Sequence, residues 1–200
     1  MRFSANRQTV VGVALILFGL ILLAVPSLYI QFSNQRSSQS ANTLREEITS
    51  DWSEPTLETE RDETALLYIP KIGVWGVPIV EGVDDSALAT GVGRYPTAPP
   101  PGQPGNFALA GHRTANGEPF ADIDELATGD VVVVRTRQAT YRYRLLDDIV
   151  VKPDMTWVIG DVTERLGLPA TSAVISLVTC SPKWSTDKRW VWWGVLVDDA

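Results

Sequence analysis

From Val10 to Val25 every residue is apolar or glycine, and the apolar character resumes with Leu28, Tyr29, Ile30 and Phe32 after Pro26 and Ser27. About twenty such residues reach roughly 30 Å as a helix, the thickness of a bilayer's hydrocarbon core. The run divides the chain between two solvents: a segment suited to lipid, and a remainder that must fold in water. Arg2 and Arg7 precede it, with no acid among the first ten residues. Basic residues before the span and few just after it favour a cytoplasmic N-terminus. The expected organisation is a cytoplasmic segment over residues 1–9, a transmembrane signal-anchor over 10–30, and a single-pass topology with the rest extracellular. A cleaved signal peptide fits less well, because Ala24-Val25-Pro26 is a poor small-x-small site and the apolar run is long for a signal. A buried globular helix is a third reading, set back by polar flanks on both sides.

Residues 31–64 are rich in Ser, Asn, Gln and Thr and carry Glu46, Glu47, Asp51, Glu54, Glu58, Glu60, Asp62 and Glu63. Leu44, Ile48 and Trp52 recur at helical spacing, so a short amphipathic helix fits there. The composition otherwise reads as a mostly flexible extracellular polar stalk. Its acids supply much of the net charge of −7, which weighs against nucleic acid as a partner.

Residues 65–200 have the texture of one folded domain. Apolar, β-branched and aromatic runs predict strands over 66–69, 77–80, 106–110, 130–135, 140–151, 174–179 and 189–197, many of them bounded by Gly, Pro or Asp. Tyr141-Arg142-Tyr143-Arg144-Leu145 alternates as a strand with one wet face does. Helical stretches are short, over 84–89, 120–126 and 162–166, and most of the strands are too close in sequence for βαβ crossovers. The fold class is all-β, a closed seven- or eight-stranded β-barrel with short helices behind an N-terminal transmembrane helix. The proline-rich stretch from Tyr95 to Gly105 reads as a rigid connection, either a plain surface turn or a wall of a binding site.

Cys180 is the only cysteine and His112 the only histidine. A lone thiol makes no internal disulfide and a lone histidine leaves no Cys/His zinc cluster, so neither metal nor cofactor is expected. Taken singly, Cys180 reads as a buried core thiol, His112 as a packing or capping residue, and Arg189 as a surface or stacking arginine. All three lie at strand ends beside turns, where a barrel gathers residues on one rim. A free thiol, with pKa about 8.5, is only a few per cent ionised at neutral pH, and nearby cations favour the thiolate. An imidazole can hand a proton to a leaving amine, and a guanidinium can hold a carbonyl or an oxyanion. The economical chemical reading is a Cys-His dyad assisted by arginine. Asp187, two residues before Arg189, is either an orienting acid or surface decoration.

Ala110-Gly111-His112-Arg113-Thr114, followed by Pro119-Phe120 and Ile123-Asp124-Glu125-Leu126, resembles the catalytic-histidine segment of the sortases, membrane-anchored cysteine transpeptidases of Gram-positive bacteria. Leu177-Val178-Thr179-Cys180 resembles that family's nucleophile motif, and Arg189 matches its arginine near the start of the last strand. The resemblance spans about residues 66–197 and implies a sortase catalytic domain over 65–200. It implies that Cys180 attacks the Thr-Gly carbonyl of a short sorting signal and that His112 protonates the departing amine. Arg189 would hold the substrate threonine region or the oxyanion. The acyl group would pass to an amine of a cell-wall precursor or a pilin. Substrate contacts are implied at Thr179, Tyr95 and Ser181. Tyr95-Pro96 and Thr179-Cys180-Ser181-Pro182 are most similar to class E of the actinobacteria, which favours LAxTG over LPxTG signals, with class D as the neighbouring assignment. A cysteine endopeptidase without acyl transfer and a non-catalytic surface module using the tryptophans are the alternative functions. In Arg189-Trp190-Val191-Trp192-Trp193, alternation sets Trp190 and Trp192 on one face and Val191 and Trp193 on the other.

Overall fold

The computed structural model describes residues 7–52 and 65–197. The expected cytoplasmic residues 1–6 and the acids of residues 54–63 lie outside them. Among the described residues eight strands close a barrel: β1 (Ala65–Ile69), β2 (Val74–Glu81), β3 (Val92–Arg94), β4 (Gly105–Ala110), β5 (Val131–Thr136), β6 (Thr140–Val151), β7 (Ala173–Ser181) and β8 (Lys188–Val197). Their order around the barrel is β1-β2-β3-β4-β7-β8-β6-β5. Seven of these match the strands the sequence predicts. The eighth, β3, is three residues centred on Gly93, too short for its periodicity to register. It pairs parallel with β2 and antiparallel with β4, after a crossover carrying the one-turn helix α2 (Asp85–Leu88), capped by the Asp84 carboxylate.

Side-chain alternation sorts the apolar residues into two layers. Leu67, Phe107, Leu109, Ile175, Leu177 and Trp192 point into the barrel. Val174, Val178, Val191 and Trp193 point outward and are covered by Val158 and Val162 from the β6–β7 connection. Covering β7 on both faces explains its nearly unbroken apolar sequence. The tryptophans separate as alternation predicts, with Trp190 and Trp192 against the inner layer and Trp193 in the outer one. Trp193 is fully buried and donates its indole N–H to the Val158 carbonyl at 3.0 Å. Trp193→Ala is expected to cost about 3–5 kcal/mol, read as a lower denaturant midpoint. The expected helix at 162–166 is instead a run of hydrogen-bonded turns, with the Leu166 N–H on the Val162 carbonyl at 3.1 Å and the Leu168 N–H on the Thr163 carbonyl at 2.8 Å.

Helix α1 runs without interruption from Arg7 to Asp51. It is long and apolar enough to cross a membrane, and Leu15, Ile16, Phe18, Leu20 and Ile21 stand exposed along it. Residues 31–51, expected to be mostly flexible, are helical and lie against the barrel. Ser37 and Ile48 are buried, and Ser33 Oγ donates to Asn116 Oδ1 at 2.7 Å. Arg137 Nη2 donates to the Asp51 carbonyl at 2.6 Å. The docking stripe of Ser33, Ser37, Ala41, Leu44 and Ile48 has helical spacing, but its first half is small or polar. Apolar periodicity therefore registers only its last turns.

Candidate active site

Cys180 lies near the end of β7, half-buried and free. On one side it faces Arg189 of β8 as its antiparallel register partner. On the other, β4 runs parallel to β7 with Ala110 opposite Val178, and the Gly111 N–H carries the ladder on to the Val178 carbonyl at 3.0 Å. Continuing that register by two residues sets His112 beside Cys180. Cys180 and Arg189 are paired across β7 and β8, and with neighbouring strands about 4.8 Å apart His112, two residues beyond the end of β4, extends that pair into a row. Alternation places Cys180 with the outward-facing Val174 and Val178, and Arg189 with Val191 and Trp193. The row therefore sits on the outer wall of the barrel, beside the outer apolar layer, and not in its lumen.

The His112 segment is fixed from both ends. Thr179 Oγ1 donates to the Gly111 carbonyl at 2.7 Å, and the Phe120 N–H donates to the His112 carbonyl at 3.1 Å. Phe120 is fully buried, and a Cβ on Gly111 would lie 2.7 Å from its ring. No real Cβ contact is that short, so Gly111→Ala must shift either the ring or the segment. An overpacking cost of about 1–3 kcal/mol is expected, with loss of turnover exceeding the loss of folded protein. His112 Nε2 is buried and makes no hydrogen bond among the described residues. Burial pushes the imidazole below its ordinary range, and the Asp85 carboxylate opposes this in part. The resting imidazole is therefore neutral at pH 7, with a ring nitrogen available to take a proton.

Arg189 Nη1 donates to the carbonyls of Thr186 and Lys188 at 2.9 and 3.0 Å. That anchors the guanidinium in the β7–β8 turn through one of its three nitrogens. Tyr95, just after β3, is held by its N–H on the Ala108 carbonyl at 3.0 Å. Burial raises its phenol, Arg189 lowers it and Cys180 raises it. The phenol thus lies within electrostatic reach of both groups, and the ring packs against the outer apolar layer.

The family model described as Sortase domain matches residues 67–197. The chain belongs to the sortase family. Sortase SrtE1 of Streptomyces coelicolor is 32% identical over 201 residues, covering 94% of this chain. The sortase described here spans 57% of that relative's length. The structure of Sortase E1 from Streptomyces coelicolor with a tripeptide in its active site superposes with a TM-score of 0.62 at 34% identity, covering 68% of this chain and 88% of that one. A Sortase D5 transpeptidase of Clostridium perfringens superposes with a TM-score of 0.67 at 27% identity, covering 80% and 99%.

Three other residues singled out in the sequence of this sortase take different positions. Thr179 is 3% exposed and faces the opposite side of β7 from Cys180, as alternation requires. Its hydroxyl fastens the His112 segment, where the sequence motif suggests contact with the peptide. Ser181 is buried beneath the turn that begins with the Ser181-Pro182 bond. Asp187 accepts nothing from Arg189; its N–H donates to Ser185 Oγ at 3.1 Å. Asp85, in α2, lies within electrostatic reach of His112 and partly opposes the effect of its burial. The sequence shows it only as one of two aspartates opening a short helix, and the β2–β3 crossover that sets it within electrostatic reach of His112 is a long-range feature.

Proposed function

We propose that this sortase cleaves a sorting signal of the LAxTG or LPxTG type between Thr and Gly and transfers the acyl group to an amine. The observation that carries this is the single row of His112, Cys180 and Arg189 on the outer wall. With a neutral imidazole, the thiol gives its proton to His112 as sulfur attacks the carbonyl carbon, and Arg189 holds the developing oxyanion. The C–N bond breaks, His112 passes that proton to the glycine amine, and a Cys180 thioester remains. An incoming amine, on a peptidoglycan precursor or a pilin, attacks the thioester and loses a proton to His112. The thiolate then leaves and regains that proton, forming the new amide. Tyr95 forms a wall for the signal, while Thr179 and Ser181 act from behind by holding the strand end and the His112 segment. The class E assignment rests on the Tyr95-Pro96 and Thr179–Pro182 segments and accords with the Streptomyces relative; class D is the alternative. The arginines before the apolar half of α1 support a cytoplasmic N-terminus, with the barrel outside.

The test is the purified full chain with a fluorescent LAxTG peptide, with and without an amine acceptor. Amine-dependent ligated product is expected. Peptide release that ignores the amine would make the protein an endopeptidase and defeat the transpeptidase reading.

A further inference from the structure

Behind the front row lies a second row, made by the chain neighbours of the first. Arg113 follows His112, Thr179 precedes Cys180, and Trp190 follows Arg189. Thr179 and Trp190 are register partners, and both face the inner side of the wall. Arg113 is 5% exposed, and its guanidinium lies over the Trp190 ring, 5.2 Å from the centroid. Nη2 pairs with Asp124 Oδ1 at 2.7 Å. Its Nε is buried and makes no hydrogen bond among the described residues, so the carboxylate and the indole face set its orientation. Trp190 is held from the far side, its indole N–H donating to Asp148 Oδ2 at 2.7 Å.

We propose that Arg113 and Trp190 are positioning residues for the transfer reaction, clamping the backbone that carries His112 to the backbone that carries Arg189. The proposal rests on the roles given above to His112, Cys180 and Arg189. β4 and β8 are not neighbours, because β7 lies between them, so no ladder hydrogen bond fixes one against the other. The Arg113–Trp190 stack is a direct side-chain contact that spans this gap next to the row. A guanidinium plane meets an indole face broadly and resists sliding, and lysine lacks that plane. The contact therefore fixes the separation of the proton carrier and the oxyanion donor on either side of the sulfur. Misplacement of such groups by about 1 Å costs on the order of a hundredfold in rate.

The test measures single-turnover acylation of Cys180 by a sorting peptide, peptide affinity and melting temperature in the full chain. Arg113→Met and Trp190→Leu are each expected to slow acylation by about ten- to a hundredfold with affinity changed less than threefold. Trp190→Phe, which keeps an aromatic face, should restore most of the rate. The double variant should be no slower than the worse single one, because both remove the same contact. Should Arg113→Met not fold, the Trp190→Leu and Trp190→Phe pair carries the same comparison. Lower melting temperatures with acylation unchanged would make the stack merely structural and overturn the proposal, as would multiplicative losses in the double variant. A wild-type chain with no acylation at all would instead remove the reading on which the proposal rests.

Discussion

Cys180→Ser is expected to lower transfer by about a thousandfold or more while leaving the barrel folded. No other thiol exists in the chain to substitute for it. Serine has nearly the same shape, and at a half-buried position its hydroxyl is accommodated without a cavity. The loss arises in the chemistry. A hydroxyl is far less acidic than a thiol, and the half-buried imidazole of His112, held below its ordinary range, is a weak base for removing that proton. Loss of a nucleophile that acts as one unit with its base removes nearly all of their joint contribution. The measurement is the rate of Thr-Gly cleavage against the unfolding midpoint of the same sample. A serine variant within tenfold of wild type would show that the sulfur is not the attacking atom.

His112→Gln carries the second-largest effect, a fall of about 10²- to 10⁴-fold, the range of general acid–base contributions. Glutamine keeps the size and some hydrogen bonding but carries no titratable proton. The wild-type imidazole also gives the reaction a pH signature. Because burial lowers its pKa in the folded chain, the neutral form that accepts the thiol's proton persists below pH 6.5, and the acid limb of turnover falls below that value. The same shift acts on stability. The unfolded chain binds the proton more readily, so the contribution of His112 is fully present above pH 6.5 and is lost as pH falls through the lower folded value. His112→Gln should abolish this increment of acid destabilisation. As the only histidine, His112 reports its own titration in a proton NMR spectrum, where a midpoint at or above 6.5 would contradict the account.

The sequence shows the barrel's walls better than its closure. Val174 to Thr179 and Arg189 to Val197 are legible as strands because both of their faces are apolar or aromatic. β3 is not, because Val92-Gly93-Arg94 is recognisable only through its partners β2 and β4. The stalk misleads for a related reason: α1 docks through Ser33, Ser37 and Ala41, whose close approach stabilises contact without an apolar signal. At the site, Cys180, His112 and Arg189 stand out in the sequence through their motifs, and strand register brings them to one end of the barrel wall. Their neighbours are harder to read. Thr179 is adjacent to Cys180 in sequence yet faces away from it, since consecutive strand residues point to opposite sides. Asp85 and the Arg113–Trp190 stack depend on crossovers and on strand order, which no local pattern encodes.

The proposed transfer requires a thioester at one atom, the sulfur of Cys180. The direct measurement is the intact mass of the chain after brief reaction with a sorting peptide in the absence of an amine, followed by addition of one. The expected result is a single adduct equal in mass to the peptide fragment ending in threonine, located on Cys180 and discharged when the amine is added. It is contradicted by an adduct that survives in Cys180→Ala, or by peptide turnover in which no adduct forms and the amine changes nothing.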